Sequence, residues 1–86
     1  MLKVIIHPAA DKYILKIPKK IRLRVLKKIA ELEPLDHPLQ HPQVIKLEGG
    51  KEERFRLRVG DYRIKFVLRK PSIIAVHDID NRQAGY

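Results

Sequence analysis

Arg54, Arg56, Arg58, Arg63 and Lys65 alternate with apolar residues in the stretch R-F-R-L-R-V-G-D-Y-R-I-K-F-V-L-R, from Arg54 to Arg69. A guanidinium is a planar fork that matches the oxygens of a phosphate, and several of them stabilise charge that builds up on a phosphorus centre. They do not move protons readily, because Arg stays protonated above pH ~12. Arg82 and Tyr86, four residues apart in the terminal D-I-D-N-R-Q-A-G-Y, are the other candidates for chemistry. A ring of cations would lower the pKa of a nearby tyrosine from its ordinary value of about 10 and let it act as a base.

The elements that hold these residues follow from the pattern itself. Strict alternation on either side of Gly60-Asp61 predicts two strands joined by a two-residue turn. That register pairs Val59 with Tyr62, Leu57 with Ile64 and Phe55 with Phe66 on an apolar face. The other face then carries Arg58 opposite Arg63 and Arg56 opposite Lys65, with Arg54 at its end. Like charges directly across a sheet are destabilising. Their placement points to a face that meets a polyanion, most plausibly the phosphates of nucleic acid.

The whole composition agrees. The 86 residues carry a formal charge of +9, from 19 basic and 10 acidic side chains, which favours nucleic acid or an acidic protein as partner. No long amphipathic helix collects the cations, so a membrane surface is a poor fit. No apolar run reaches the roughly 18 residues of a spanning helix, no signal peptide is expected, and a cytoplasmic, soluble protein is the expectation. With no cysteine, disulfides, thiolate metal sites and cysteine nucleophiles are excluded. One Asn, one Ser and no Thr, against many Lys, Arg, Glu and Ile, is a bias common in thermophile proteins.

Along the chain, the run Val4-Ile5-Ile6 reads as an interior strand covered on both faces. Pro8 suits the first turn of a helix whose stripe is Ala9, Ala10, Tyr13, Ile14 and Ile17. Pro18 ends it and opens a second helix, with Ile21, Val25, Ile29 and Leu32 on one arc and Pro34 closing it. Three prolines between Pro34 and Pro42 predict a loop without regular structure. Val44 to Leu47 is an edge segment. After the charged hairpin, Ser72 to Ile79 is a last strand lying inside the sheet beside the first. The prediction is α+β, a single compact domain over residues 1–86 in the order β-α-α-β-β-β. Its helical hairpin packs on one face of a mostly antiparallel twisted sheet.

The segments L-E-G-G at Leu47 to Gly50, R-F-R-L-R-V-G-D-Y-R-I at Arg54 to Ile64 and D-N-R-Q-A-G-Y at Asp80 to Tyr86 resemble the RelE/ParE toxin superfamily, with matching element order and length over nearly the whole chain. The RelE branch are toxins of toxin–antitoxin pairs that cleave messenger RNA in the ribosomal A site; the ParE branch poison DNA gyrase. Resemblance to the RelE branch implies an endoribonuclease whose active site combines Arg56, Arg58, Arg63, Arg82 and Tyr86, with Arg54 and Lys65 extending the phosphate-binding field. It implies no metal or other cofactor. The implied partners are the ribosome, its mRNA and a RelB-like antitoxin, the complex with the last being a heterotetramer. A ParE-like topoisomerase poison and a non-catalytic RNA-binding module are the alternatives. The sequence departs from the family where lysines often stand at the positions of Arg56 and Arg58, and where G-H-R becomes Asp80-Asn81-Arg82.

The remaining titratable residues read as structural. His37 and His41 lie in the proline-rich loop, where a helical metal pair is forbidden. His77 reads as a satisfied structural histidine, and Asp78 and Asp80 as carboxylates that order neighbouring arginines. Glu48, Glu52 and Glu53 are the other acids within reach of the arginine row.

Overall fold

The computed structural model describes residues 1–81. Its element order is β1 (Lys3–Ile6), α1 (Pro8–Lys16), α2 (Lys19–Ala30), a 3-10 turn (Pro38–Gln40), β2 (Val44–Leu47), β3 (Glu53–Val59), β4 (Tyr62–Arg69) and β5 (Ile73–Asn81). The sheet order is β1-β5-β4-β3-β2; β1 runs parallel to β5 and every other neighbour is antiparallel. The α+β reading and the element order hold, and β2 is the edge strand the sequence suggests. None of the described helices is long and apolar enough to cross a membrane.

Local chemistry explains the helical hairpin. His7 caps α1 through its Nδ1, which accepts the Ala9 N–H at 3.1 Å, and Pro8 occupies the first turn. Pro18 separates the helices and serves as the N-cap of α2. Ala10 and Ile14 from the first helix and Ile17 at its C-cap, with Val25, Ile29 and Leu32 from the second helix and the turn after it, meet the sheet in one core. The sheet contributes Phe55, Leu57, Val59, Ile64, Phe66, Ile74, Val76 and Ile79. Tyr13 packs at its margin, where burial, then Tyr62 and the charges of Asp80 and Asp78, push its hydroxyl pKa up.

Two expectations change. The proline-rich segment contains the 3-10 turn, capped by His37 Nδ1 and by Gln40, whose side chain accepts the His37 N–H. The buried His41 fixes this segment to α2. Its Nδ1 accepts the Gln43 N–H at 3.1 Å, so Nε2 carries the proton and donates to Glu31 at 2.8 Å. That hydrogen bond, aided by Lys28, holds the Glu31 carboxyl below its usual range. The second change concerns β1. Among the described residues it is the other edge of the sheet, paired only with β5, and Ile5 is 43% exposed. A continuous apolar run does not distinguish a strand covered on both faces from an edge strand whose second face borders a groove.

The hairpin has the register read from the alternation. Val59 faces Tyr62, Leu57 faces Ile64, Phe55 faces Phe66, Arg58 faces Arg63 and Arg56 faces Lys65. Gly60 has φ of 59° and Asp61 does not enter the left-handed region, as a turn with glycine at its first central position requires. Phe55 and Phe66 stack at 5.6 Å between centroids, and His37 meets Phe55 edge-on at 5.7 Å. All of this apolar pairing sits on the face the helices cover, so the charged face is left open.

Phe55 is fully buried and touches both a ring partner and the 3-10 turn. Phe55→Ala should therefore cost about 3–5 kcal/mol of unfolding free energy, measured by urea titration. Leu23→Ala, at an exposed position, should change it by less than about 0.5 kcal/mol.

Candidate phosphate-binding face

The open face is organised by a bulge in β5. Lys65 pairs with Asp78 but the next residue, Phe66, pairs with Val76, so His77 is the extra residue. The insertion lets Val76 and Ile79, three apart in sequence, both enter the core. Because side chains alternate along a strand, it also turns Asp78 and Asp80 to the open face. His77 is exposed and has no hydrogen-bond partner among the described residues, so it is not the satisfied structural histidine expected.

Asp80 lies opposite Arg63 and uses both carboxylate oxygens. Oδ1 accepts from Arg63 Nε at 2.6 Å and Oδ2 meets Lys65 Nζ at 3.1 Å; Asp78 approaches the same ammonium at 3.9 Å. Partial burial pushes the Asp80 pKa up, but the hydrogen bonds and charges of Arg63 and Lys65 outweigh it and the carboxyl titrates below its ordinary range. The expected ordering of a neighbouring arginine is present for Asp80, which holds Arg63, whereas Asp78 approaches only Lys65 among the described residues. The glutamates do not join the row: Glu52 pairs with Arg69 and Glu53 with Lys70, each at 3.6 Å.

Five hairpin cations therefore divide by environment. Arg63 and Lys65 are compensated by the β5 carboxylates. Arg54 donates through Nη2 to the carbonyls of Glu48 and Gly49, at 2.9 and 3.1 Å, which commits much of its fork to the β2–β3 loop. Gly49 and Gly50, at φ of 89° and 83°, permit that loop, and a Cβ on either would meet the Arg54 guanidinium at 3.5 or 3.4 Å. Arg56 and Arg58 have no acidic partner among the described residues. Arg56 Nε is shielded from solvent without a hydrogen bond, and Arg58 makes only a long 3.5 Å contact with the Gly60 carbonyl.

Arg56, Arg58, Gly60, Asp61 and Arg63 line a shallow pocket of about 140 Å³ at the hairpin turn. Arg63 enters it oriented, since its Nε is held by Asp80 while the terminal nitrogens extend the fork. This arrangement suits an anion with several oxygens: two guanidiniums without an ion pair among the described residues and one preset guanidinium line it, outnumbering the single carboxylate of Asp61. Arg82 and Tyr86 lie outside the described residues. Among the described residues no three His, Asp or Glu side chains are grouped for a metal ion.

The sequence reading did not single out a second feature of this face. Beyond Arg54, the open face becomes apolar: Ile5, Val67 and Ala75 line a groove of about 470 Å³ flanked by Arg54, Arg69, Glu52, His7 and His77. Its signal was the excess of apolar residues in β1 and β5 over what one buried face needs.

Asp80 has a folded pKa below its unfolded value, so its contribution is fully present above the ordinary aspartate range and is lost as pH falls through the lowered folded pKa. Thermal unfolding between pH 7 and pH 2 should show that acid limb. Asp80→Asn should flatten it and lower the midpoint at pH 7 while leaving the stability near pH 2 almost unchanged.

Comparisons with known proteins bear on what such a face serves. Residues 4–86 match the family described as the ParE toxin of type II toxin-antitoxin systems, parDE. The fold is similar to RelE–RelB complex structures from two archaea. For the crystal structure of the complex from Pyrococcus horikoshii OT3 the TM-score is 0.78 and the identity 31%, covering 94% of each chain. For the complex from Methanococcus jannaschii the TM-score is 0.76 at 22% identity, covering 95% of this chain and 94% of that one, a likeness of fold. No curated protein sequence matches. A family match over nearly the whole length, with a related structure over the same span, leads to one conclusion: the chain belongs to the RelE/ParE superfamily of toxins of type II toxin–antitoxin systems.

Proposed function

We propose that this toxin is a RelE-like, ribosome-dependent endoribonuclease that cuts mRNA in the A site. The observation that carries the reading is the pocket at the hairpin turn, where Arg56 and Arg58 have no acidic partner among the described residues and stand beside an Arg63 held in place by Asp80. A face built only to bind an acidic protein would have no need to preset one fork beside two free ones. A phosphate whose charge increases in the transition state does.

In the proposed reaction the 2′-oxygen of the substrate attacks the adjacent phosphorus. The O2′–P bond forms, the P–O5′ bond breaks, and the proton passes from the 2′-oxygen to the leaving 5′-oxygen. The products are a 2′,3′-cyclic phosphate and a 5′-hydroxyl. Arg56, Arg58 and Arg63 stabilise the phosphoryl oxygens. Tyr86 acts as the base that removes the proton, and Arg82 or water supplies one to the leaving group. Lys65 and Arg54 add to the field that draws RNA in. The ribosome supplies the in-line geometry, and this positioning carries much of the rate. The protein works in the cytoplasm and is held inactive by a RelB-like antitoxin in a heterotetramer; the likeness to the RelE–RelB complex of Pyrococcus horikoshii OT3 supports the antitoxin as partner.

A ParE-like action on a topoisomerase is the second reading, favoured by the family description itself. Induction in translating cells separates the two. The nuclease reading expects messages cut within codons by primer extension, with Arg58→Ala and Arg82→Ala each lowering cleavage about a hundredfold or more. Failure of DNA replication with intact messages would overturn it and support the second reading.

A further inference from the structure

We propose that Asp61 accepts a hydrogen bond from a ribose 2′-hydroxyl, so that the pocket at the hairpin turn takes ribonucleotides in preference to deoxyribonucleotides. The proposal rests on the reading above that this pocket holds an RNA phosphate, and names the group beside the phosphate that the protein recognises.

The first observation is where the carboxylate stands. Asp61 is the only acid among the described residues that line the pocket, to which Arg56, Arg58 and Arg63 bring three cations. A carboxylate there repels the anion that the arginines attract. A site for phosphate alone would hold it better with a neutral residue at this position. An ionised carboxylate offers acceptors and no donor, so it suits a ligand that carries a hydroxyl next to its phosphate. RNA has that donor on the sugar and DNA lacks it.

The turn itself does not account for the acid. Its left-handed residue is Gly60, at φ of 59°, and among the described residues nothing but glycine has a positive φ. The backbone at Asp61 therefore needs no special side chain. Aspartate is common in turns because its carboxylate accepts a nearby backbone N–H. Here it accepts none: the Asp61 side chain makes no hydrogen bond and no ion pair among the described residues. The neighbouring arginines are directed elsewhere, Arg63 to Asp80 at 2.6 Å and Arg58 to the Gly60 carbonyl at 3.5 Å.

The pocket thus presents both kinds of group that a ribonucleotide requires. Guanidinium forks meet the phosphate oxygens, and a free carboxylate meets the sugar hydroxyl in a charge-assisted bond. Asp61 recognises the bound nucleotide; removal of the proton stays with the base of the proposed reaction.

The test is equilibrium binding, at one fixed salt concentration, of a single-stranded oligonucleotide of one sequence made as RNA, as DNA and as 2′-O-methyl RNA. The last keeps the oxygen and loses the donor. Wild type should bind the RNA about tenfold more tightly than either of the others, the effect of one hydrogen bond to a charged group. Asp61→Ala should remove most of that preference, and Asp61→Asn, whose carbonyl still accepts, should retain part of it. Asp61 is exposed, so both variants should keep the wild-type thermal midpoint. Equal binding of the three oligonucleotides by the wild type would overturn the assignment. So would an Asp61→Ala chain that binds all three more tightly in unchanged ratio, which would leave Asp61 only softening the repulsion between Arg58 and Arg63. Messages cut in cells without any such preference would sink the role of Asp61 and leave the nuclease reading standing. A preference that Asp61→Ala abolishes, with messages intact, would do the reverse.

Discussion

The inserted residue at His77 sets the character of the whole open face. Without it β5 would continue its alternation from Val76, sending Asp78 and Asp80 into the apolar core and Ile79 out to solvent. Burying two carboxylates beneath α1 would cost far more than a local break in the ladder. The bulge avoids that cost and places Asp80 against Arg63 and Lys65. One irregularity in one strand thus closes the core and fixes the electrostatics of the candidate site.

The consequence is a graded rather than uniform basic surface. Arg58 and Arg63 stand directly opposite one another, an arrangement that repels. Asp80 offsets the repulsion on the β4 side only, because β5 borders β4 and not β3. Arg56 and Arg58, on β3, have no acidic partner among the described residues. Arg54, two residues earlier on the same strand, is drawn to the loop carbonyls that Gly49 and Gly50 present. Among the described residues, free charge is therefore concentrated at the hairpin turn, while the far end of the same face is apolar.

Much of this was legible in the sequence. Alternation around Gly60-Asp61 determines the hairpin register residue by residue, because a period of two leaves one way to bury Phe55, Leu57, Val59, Ile64 and Phe66 together. Prolines at 8, 18 and 34 punctuate the helices for the same local reason in the sequence and in the fold. What the sequence did not reveal depends on tertiary neighbours. The run Val4-Ile5-Ile6 has the same pattern whether its second face meets a layer or a groove. The bulge at His77 is a response to the core's demand for both Val76 and Ile79; the spacing V-H-D-I hints at it, yet the same spacing suits an ordinary strand end. The Arg54 anchor required knowing that the Gly-Gly loop turns its carbonyls toward β3.

The central claim is that Arg56 and Arg58 keep free charge for phosphate whereas Arg63 and Lys65 are largely compensated. Its most direct test is the salt dependence of binding to a single-stranded RNA, comparing the wild type with the Arg56→Ala, Arg58→Ala double variant and with Lys65→Ala. Each phosphate contact contributes a slope of about 0.7 in log K against log salt for single strands. The account predicts a slope reduced by about 1.4 in the double variant, the sum of two such contacts, and by much less in Lys65→Ala. An unchanged slope in the double variant, or a larger loss in Lys65→Ala, would contradict it.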